Sequence, residues 1–271
     1  MTENSLNFNN VDWFLQAHLA AVTDARLAAV KKIPQEIVLA GADGDESYRR
    51  LSVRYPQARF TEYDARADCL QAALKRRKAA QNLWQKFTQA LPAQTASHRL
   101  PETESADMVW SNLGLLAQDN PIVVFENWAA ALKPNGMLFF THLGAGSLKE
   151  ILAIRQGENA VFHSSVFMDM HDLGDMLFHH GFYDPVMDMD TLTLRYAAAE
   201  RLIADLQTIG VWSKLYSGDK SAAISALTQA FAKGECKEIT LELVYGHALK
   251  KIRLPENTAE VRFYPAAKND A

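Results

Sequence analysis

Residues 35–45, Gln-Glu-Ile-Val-Leu-Ala-Gly-Ala-Asp-Gly-Asp, constrain the chain more than any other stretch. Ile37, Val38, Leu39 and Ala40 form a short apolar run that breaks into a turn at Gly41. A run of this length, β-branched at its start and closed by glycine, reads as a buried parallel strand. In an open α/β sheet, the loop after such a strand lies at the carboxyl edge, where nucleotide-like ligands bind. A second strand signal spans 58–64 and ends in Asp64, 23 positions after Gly41. An acid about 20 residues past the turn is placed to accept hydrogen bonds from ribose hydroxyls. The plainer alternative is an ordinary turn after a core strand.

The turn departs from a nucleotide-binding loop in one respect. Gly41 and Gly44 are its glycines, and Asp43 and Asp45 stand where further small residues are usual. Two carboxylates beside a pocket repel a pyrophosphate, which argues against a dinucleotide. A cationic ligand such as a sulfonium tolerates them.

Composition excludes several classes. The formal charge is −4 and the pI about 6.1, so nothing points to nucleic acid. No apolar run approaches the ~20 residues of a membrane helix, and the polar asparagine-rich start reads as neither signal nor transit peptide. Cys69 and Cys236 lie far apart with no metal-ligand spacing, so no metal site is expected and the compartment reads as reducing and cytoplasmic. The length of 271 residues, 48% hydrophobic, suits one large α/β domain.

Along the chain, strand and helix signals alternate. Residues 11–30 read as an amphipathic helix or helix pair, and 46–54 as a crossover helix. Residues 68–91 read as a long helix with a basic centre, Lys75-Arg76-Arg77-Lys78, either a solvated face or a dock for an acidic partner. A short edge strand is expected within 92–104, and buried strands at 106–113 and 137–142. Residues 185–190 and 191–196 read as two further strands, and 238–250 as the last one. The expectation is a doubly wound, mostly parallel seven-stranded α/β sheet with an added helical segment. Its divisions are an N-terminal helical segment (1–34), a main domain (35–250) with a helical insertion at about 147–182, and a loosely ordered tail (251–271).

Several blocks together resemble the class I S-adenosylmethionine-dependent methyltransferases. These are 37–45, 55–64, Asp107-Met108-Val109-Trp110-Ser111-Asn112-Leu113, and Leu132-Lys133-Pro134-Asn135-Gly136 before a strand. Later blocks, His142-Leu143-Gly144-Ala145-Gly146-Ser147 and Met168-Asp169-Met170-His171-Asp172-Leu173-Gly174, resemble the methyltransferases of biotin synthesis, which methylate the carboxylate of malonyl-acyl carrier protein. They are also similar to an assembly factor of mitochondrial complex I, linked to arginine hydroxylation. The resemblance implies S-adenosylmethionine as cofactor, held by Gly41, Asp43, Gly44, Asp64, Ser111 and Asn112, and acyl carrier protein as the substrate's carrier. Departures accompany it. Leu39 stands where the family has the acid for the methionyl amine, Ala96 where it has the acid for the adenine amine, and Glu150-Ile151-Leu152 lacks the usual arginine. Asp43 and Asp45 are then the acids left near the amine.

A carboxylate acceptor is ionised at neutral pH and needs no general base; positioning does most of the work. The candidates for holding it are His142, Ser147 and His171, with His163 on the same side; for each histidine a structural role competes. The competing function is a catalytically degenerate member of the fold that acts as a binding or assembly factor.

Overall fold

The computed structural model describes residues 12–81, 91–156 and 158–252. Expectations for the first residues, for 82–91 except Leu91, and for the tail from Pro255 fall outside them.

Helix α1, Phe14–Arg26, runs into a 3-10 turn at Leu27–Ala29, and strand β1, Glu36–Ala40, follows. Next come α2, Glu46–Arg54; β2, Arg59–Tyr63; α3, Ala67–Ala80; and the short β3, Ala93–Thr95. Strand β4, Ala106–Asn112, is buried along its whole length, as a central parallel strand must be. Helix α4, Pro121–Ala131, starts where Asn120 accepts from the amides of Ile122 and Val123, with Pro121 in the first turn. Strand β5 is Leu132–Leu143.

After β5 the chain forms α5, Lys149–Leu152, and a small hairpin of β6, Arg155–Gln156, with β7, Asn159–Ala160. Helix α6, Met170–His179, and β8, Phe182–Arg195, follow. Helices α7, Ala199–Ile209, and α8, Lys220–Lys233, precede β9, Glu238–Lys250.

The seven-stranded sheet has the order β3-β2-β1-β4-β5-β9-β8. Pairs from β3 to β5 are parallel, and β9 inserts antiparallel between β5 and β8. The doubly wound α/β expectation therefore holds. One detail differs. Residues 185–195 belong to a single strand, β8, not to two, and Tyr196 lies just past its end. Pro185 sits where the pairing with β9 shifts register between Tyr183 and Val186, and Asp184 takes a positive φ of 52°. A bulge accommodates the missing amide, so the strand continues through the proline.

Alternation of side chains splits the core. Ile37, Leu39, Met108, Trp110, Met137 and Phe139 pack with Leu27, Tyr48 and Leu51 on one face. Val38, Val109, Leu138 and Phe140 pack on the other against Phe125 and Trp128 of α4 and Leu173 and Leu177 of α6. Helices α7 and α8 form a third cluster with the first half of β9, Leu15 and Leu19. At the amino edge, Asp107 accepts from the amides of Gln35 and Glu36 and pairs with Lys133, which ties β1, β4 and β5 in register.

The strand order reverses between β1 and β4. The crevice outside their carboxyl ends is where such a sheet binds ligands.

Candidate functional site

Of the six residues expected at the cofactor, Gly41 and Asp64 line that crevice, while Asp43 and Gly44 sit in the loop after β1 and Ser111 and Asn112 at the carboxyl end of β4. The Gly41 amide donates to the Tyr63 carbonyl at 2.8 Å, and the Ala42 amide to Asp64 at 2.8 Å. The Ser111 hydroxyl donates to the Ala40 carbonyl at 2.7 Å. The Asn112 amide donates to Asp43 at 2.7 Å and to the Gln16 carbonyl at 2.9 Å, while its oxygen accepts from Thr141. Each polar group is thus spent on holding the crevice together.

The loop carboxylates point inward. Asp43 accepts from the amide and hydroxyl of Ser47 at the start of α2, an N-terminal cap in function. Burial pushes its pKa up, against the hydrogen bonds from Ser47 and Asn112. Asp45 pairs with Arg77 at 2.6 Å, and Glu62 lies 3.4 Å from the same guanidinium, which also covers the Tyr48 ring at 4.2 Å. Burial drives Asp45 up to about 7 and raises Glu62, with Arg77 opposing both. One cation serves two buried acids. Arg77 is 2% exposed, so the basic run is not a solvated face throughout. Arg76 is also engaged, with Glu46 at 2.6 Å.

Asp64 is 1% exposed at the end of β2. Burial works to raise its pKa, but Arg66 outweighs it through hydrogen bonds and charge, and the carboxyl is held below its ordinary value. The Arg66 Nη2 lies 2.6 Å from one oxygen and Nε 3.0 Å from the other. Arg66 was not among the residues expected here. Its signal was the spacing Asp64-Ala65-Arg66, close enough for a turn to return the guanidinium to the acid.

As arranged, these groups do not fit S-adenosylmethionine. The void bounded by Gly41, Asp64, His98, Gly114, Gln118 and Trp128 is about 10 Å³. That is room for about one water, whereas ligand pockets run to several hundred Å³. A Cβ on Gly41 would lie 2.9 Å from Gly114 Cα, so the two loops touch backbone to backbone. A Cβ on Gly44, at φ +70°, would collide with the Trp13 ring, so the N-terminal tryptophan rests directly on the loop.

A second cavity, about 260 Å³, opens beyond β4 and β5. His142, His163, Ser165, Lys214 and Tyr216 line it. His142 Nε2 bonds the Val166 carbonyl at 2.9 Å, and Nδ1 is buried with no partner among the described residues. Because a carbonyl only accepts, Nε2 carries the proton. Lys214 Nζ donates to the Gln118 carbonyl at 3.0 Å and pairs with Asp119 at 3.1 Å. The structure brings His142 and His163 to one cavity but not Ser147 or His171. Ser147 bridges the backbone of Glu242, accepting from its amide and donating to its carbonyl. His171 sits in the first turn of α6, mostly exposed, against Asp169. Lys214 escaped the sequence reading, since nothing near it in the chain marks a ligand face.

Among the described residues no cluster of His, Cys, Asp and Glu could hold a metal ion, and no helix is long and apolar enough to cross a membrane.

Residues 40–140 match a family described as a methyltransferase domain. A malonyl-acyl carrier protein O-methyltransferase of Methylovorus sp. (strain MP688) is 30% identical over 255 residues, covering 90% of this chain and 86% of the relative. One from Gallionella capsiferriformans is 34% identical over 237 residues, covering 83% and 80%. Among solved structures, the YcgJ protein of Bacillus subtilis aligns with a TM-score of 0.57 at 12% identity, over 87% of this chain and 99% of that one. A phosphoethanolamine N-methyltransferase of Haemonchus contortus, complexed with S-adenosylhomocysteine, aligns at 0.50 and 15% identity, over 87% and 53%. At these identities the structural likeness speaks to the fold.

Proposed function

From the premise that this chain belongs to the malonyl-acyl carrier protein O-methyltransferase family, we propose that it is an S-adenosylmethionine-dependent O-methyltransferase. Its substrate would be the carboxylate of a malonyl group on acyl carrier protein, in biotin synthesis in the cytoplasm. The observation that carries this reading is identity of 30–34% sustained over most of the chain, with the strand order and switch-point crevice of the fold intact.

On the acceptor side the reaction asks for placement rather than proton transfer. A carboxylate entering the 260 Å³ cavity would meet the Lys214 ammonium and the histidine pair. Charge-assisted bonds to such a group are the strong kind. Burial pushes the His142 pKa down to about 4, so its ring is neutral at physiological pH and contributes shape and one lone pair. Gly41, Asp43, Gly44, Asp64, Ser111 and Asn112 remain the cofactor-side set in this reading.

A second reading, a non-catalytic binding or assembly role, is favoured by one observation: the crevice is closed and its acids are internally paired. Incubation with tritium-labelled S-adenosylmethionine and malonyl-acyl carrier protein separates the two. Base-labile label on the carrier is expected. Carrier binding without label, at saturating cofactor, would sink the enzyme reading and leave the binding role.

A further inference from the structure

We propose that Asp188 and Asp190 keep the outer edge of the sheet closed to a second copy of this chain: each carboxylate occupies an edge amide that an added strand would need. The inference is independent of the methyltransferase reading.

Strand β8 ends the sheet, and among the described residues no strand pairs with its other edge. At 14 residues it is the longest strand described, and an open edge of that kind is a template for strand addition. Its amides alternate in direction. The Tyr196 amide, just past the strand, donates to the carbonyl of Lys237, the residue before β9. Residues an even number of positions back therefore face β9 too, and Met187, Met189, Thr191, Thr193 and Arg195 turn their amides outward. The pairing with β9 runs without a register shift from Val186 to Arg195, so this phase holds throughout.

Two of those outward amides are already taken. The Met189 amide donates to Asp188 Oδ1 at 2.8 Å, and the Thr191 amide to Asp190 Oδ1 at 2.7 Å. Arg26 of α1 holds the other oxygen of Asp188 at 2.6 Å and itself lies over the Tyr245 ring at 4.3 Å, so a second element fixes that carboxylate. All four residues from 188 to 191 are exposed, which leaves the edge open to approach. A two-fold pairing of two β8 strands around residue 190 would set 189 against 191 and 187 against 193, joining outward groups to outward groups. It would also place the two Asp190 carboxylates opposite each other in a non-hydrogen-bonded pair, the closer kind, where like charges repel. The same side chains thus block the edge twice, by filling its central amides and by opposing their own image.

The test is sedimentation velocity across a wide range of protein concentration, with melting temperatures recorded. It compares the wild type, Asp188→Thr with Asp190→Thr, Asp188→Asn with Asp190→Asn, and the threonine pair with Thr191→Pro added. Threonine suits an exposed strand and carries no carboxylate. The threonine pair should self-associate at least tenfold more tightly than the wild type. The asparagine pair loses the same two charges but keeps an acceptor oxygen beside each amide, so it should gain much less. Proline removes one outward amide and is tolerated on an edge strand, so the triple variant should return to wild-type behaviour. A folded threonine pair that associates no more tightly than the wild type overturns the proposal. An equal gain for the asparagine pair does so too, since charge alone would then close the edge. Association that survives Thr191→Pro would place the contact elsewhere and also overturns it. If the threonine pair does not fold, Asp190→Thr alone is read by the same criterion.

Discussion

Replacing Arg77 with methionine is expected to destabilise the protein by about 4 kcal/mol at neutral pH, the range for removing one partner of a buried ion pair. In a chain this size that lowers the melting temperature by roughly 10 °C. Methionine keeps most of the volume against Tyr48, so the loss isolates the charge. Asp45 and Glu62, 8% and 1% exposed, would be left without their cation. The pH dependence gives the prediction its signature. Burial already raises both acids, Asp45 to about 7 from 3.8. The folded state thus holds a proton that the unfolded chain releases at lower pH, and stability falls as pH rises through that window. Without Arg77 both acids rise further and the slope steepens. Urea unfolding at pH 5, 6.5 and 8 should show a deficit that widens with pH. A deficit under about 1 kcal/mol, or one independent of pH, would show that the two acids do not depend on Arg77.

His142 sets the opposite slope. Burial depresses it from 6.5 to about 4, with the Val166 carbonyl opposing only in part. Between those values the unfolded chain binds the proton and the folded one resists it. Stability contributed by the neutral ring is complete above pH 6.5 and is lost as pH falls toward 4, in all about 3 kcal/mol. His142→Gln keeps an amide donor within reach of Val166 but does not titrate. Its unfolding midpoint should lie near the wild type's at pH 7.5 and above it at pH 4.5. Parallel midpoint curves from pH 7.5 to 4.5 would place the acid sensitivity elsewhere.

Much of the fold was readable because its signals are local. The run from Ile37 to Ala40 is apolar without interruption, and the stretch 106–113 carries Met108, Val109 and Trp110 at its centre, as strands covered on both faces must. The crevice followed from the same logic, and Gly41 and Asp64 line it. Their state was less readable. Trp13 reaches Gly44 across 31 residues, and no pattern in the chain announces it. Arg77 was partly legible: Cys69, Leu70, Ala73 and Arg77 share one buried side of α3, so helical phase alone puts that arginine inward. The charge run concealed the phase. Lys214 belongs to a cavity built from segments far apart in sequence, and only the tertiary fold brings it beside His142.

Strand β9 is the last element described, yet it lies between β5 and β8 rather than at the margin. During synthesis, β5 would leave the ribosome with the backbone edge of residues 137–143 unpaired. About a hundred residues must follow before β9 arrives to pair with it. At 5–20 residues per second that exposure lasts roughly 5–20 s. An unpaired apolar strand is a template for other chains. Nascent chains of this protein should therefore need chaperone cover until residue 250 has emerged, and a truncation before β9 should aggregate instead of yielding a smaller soluble domain.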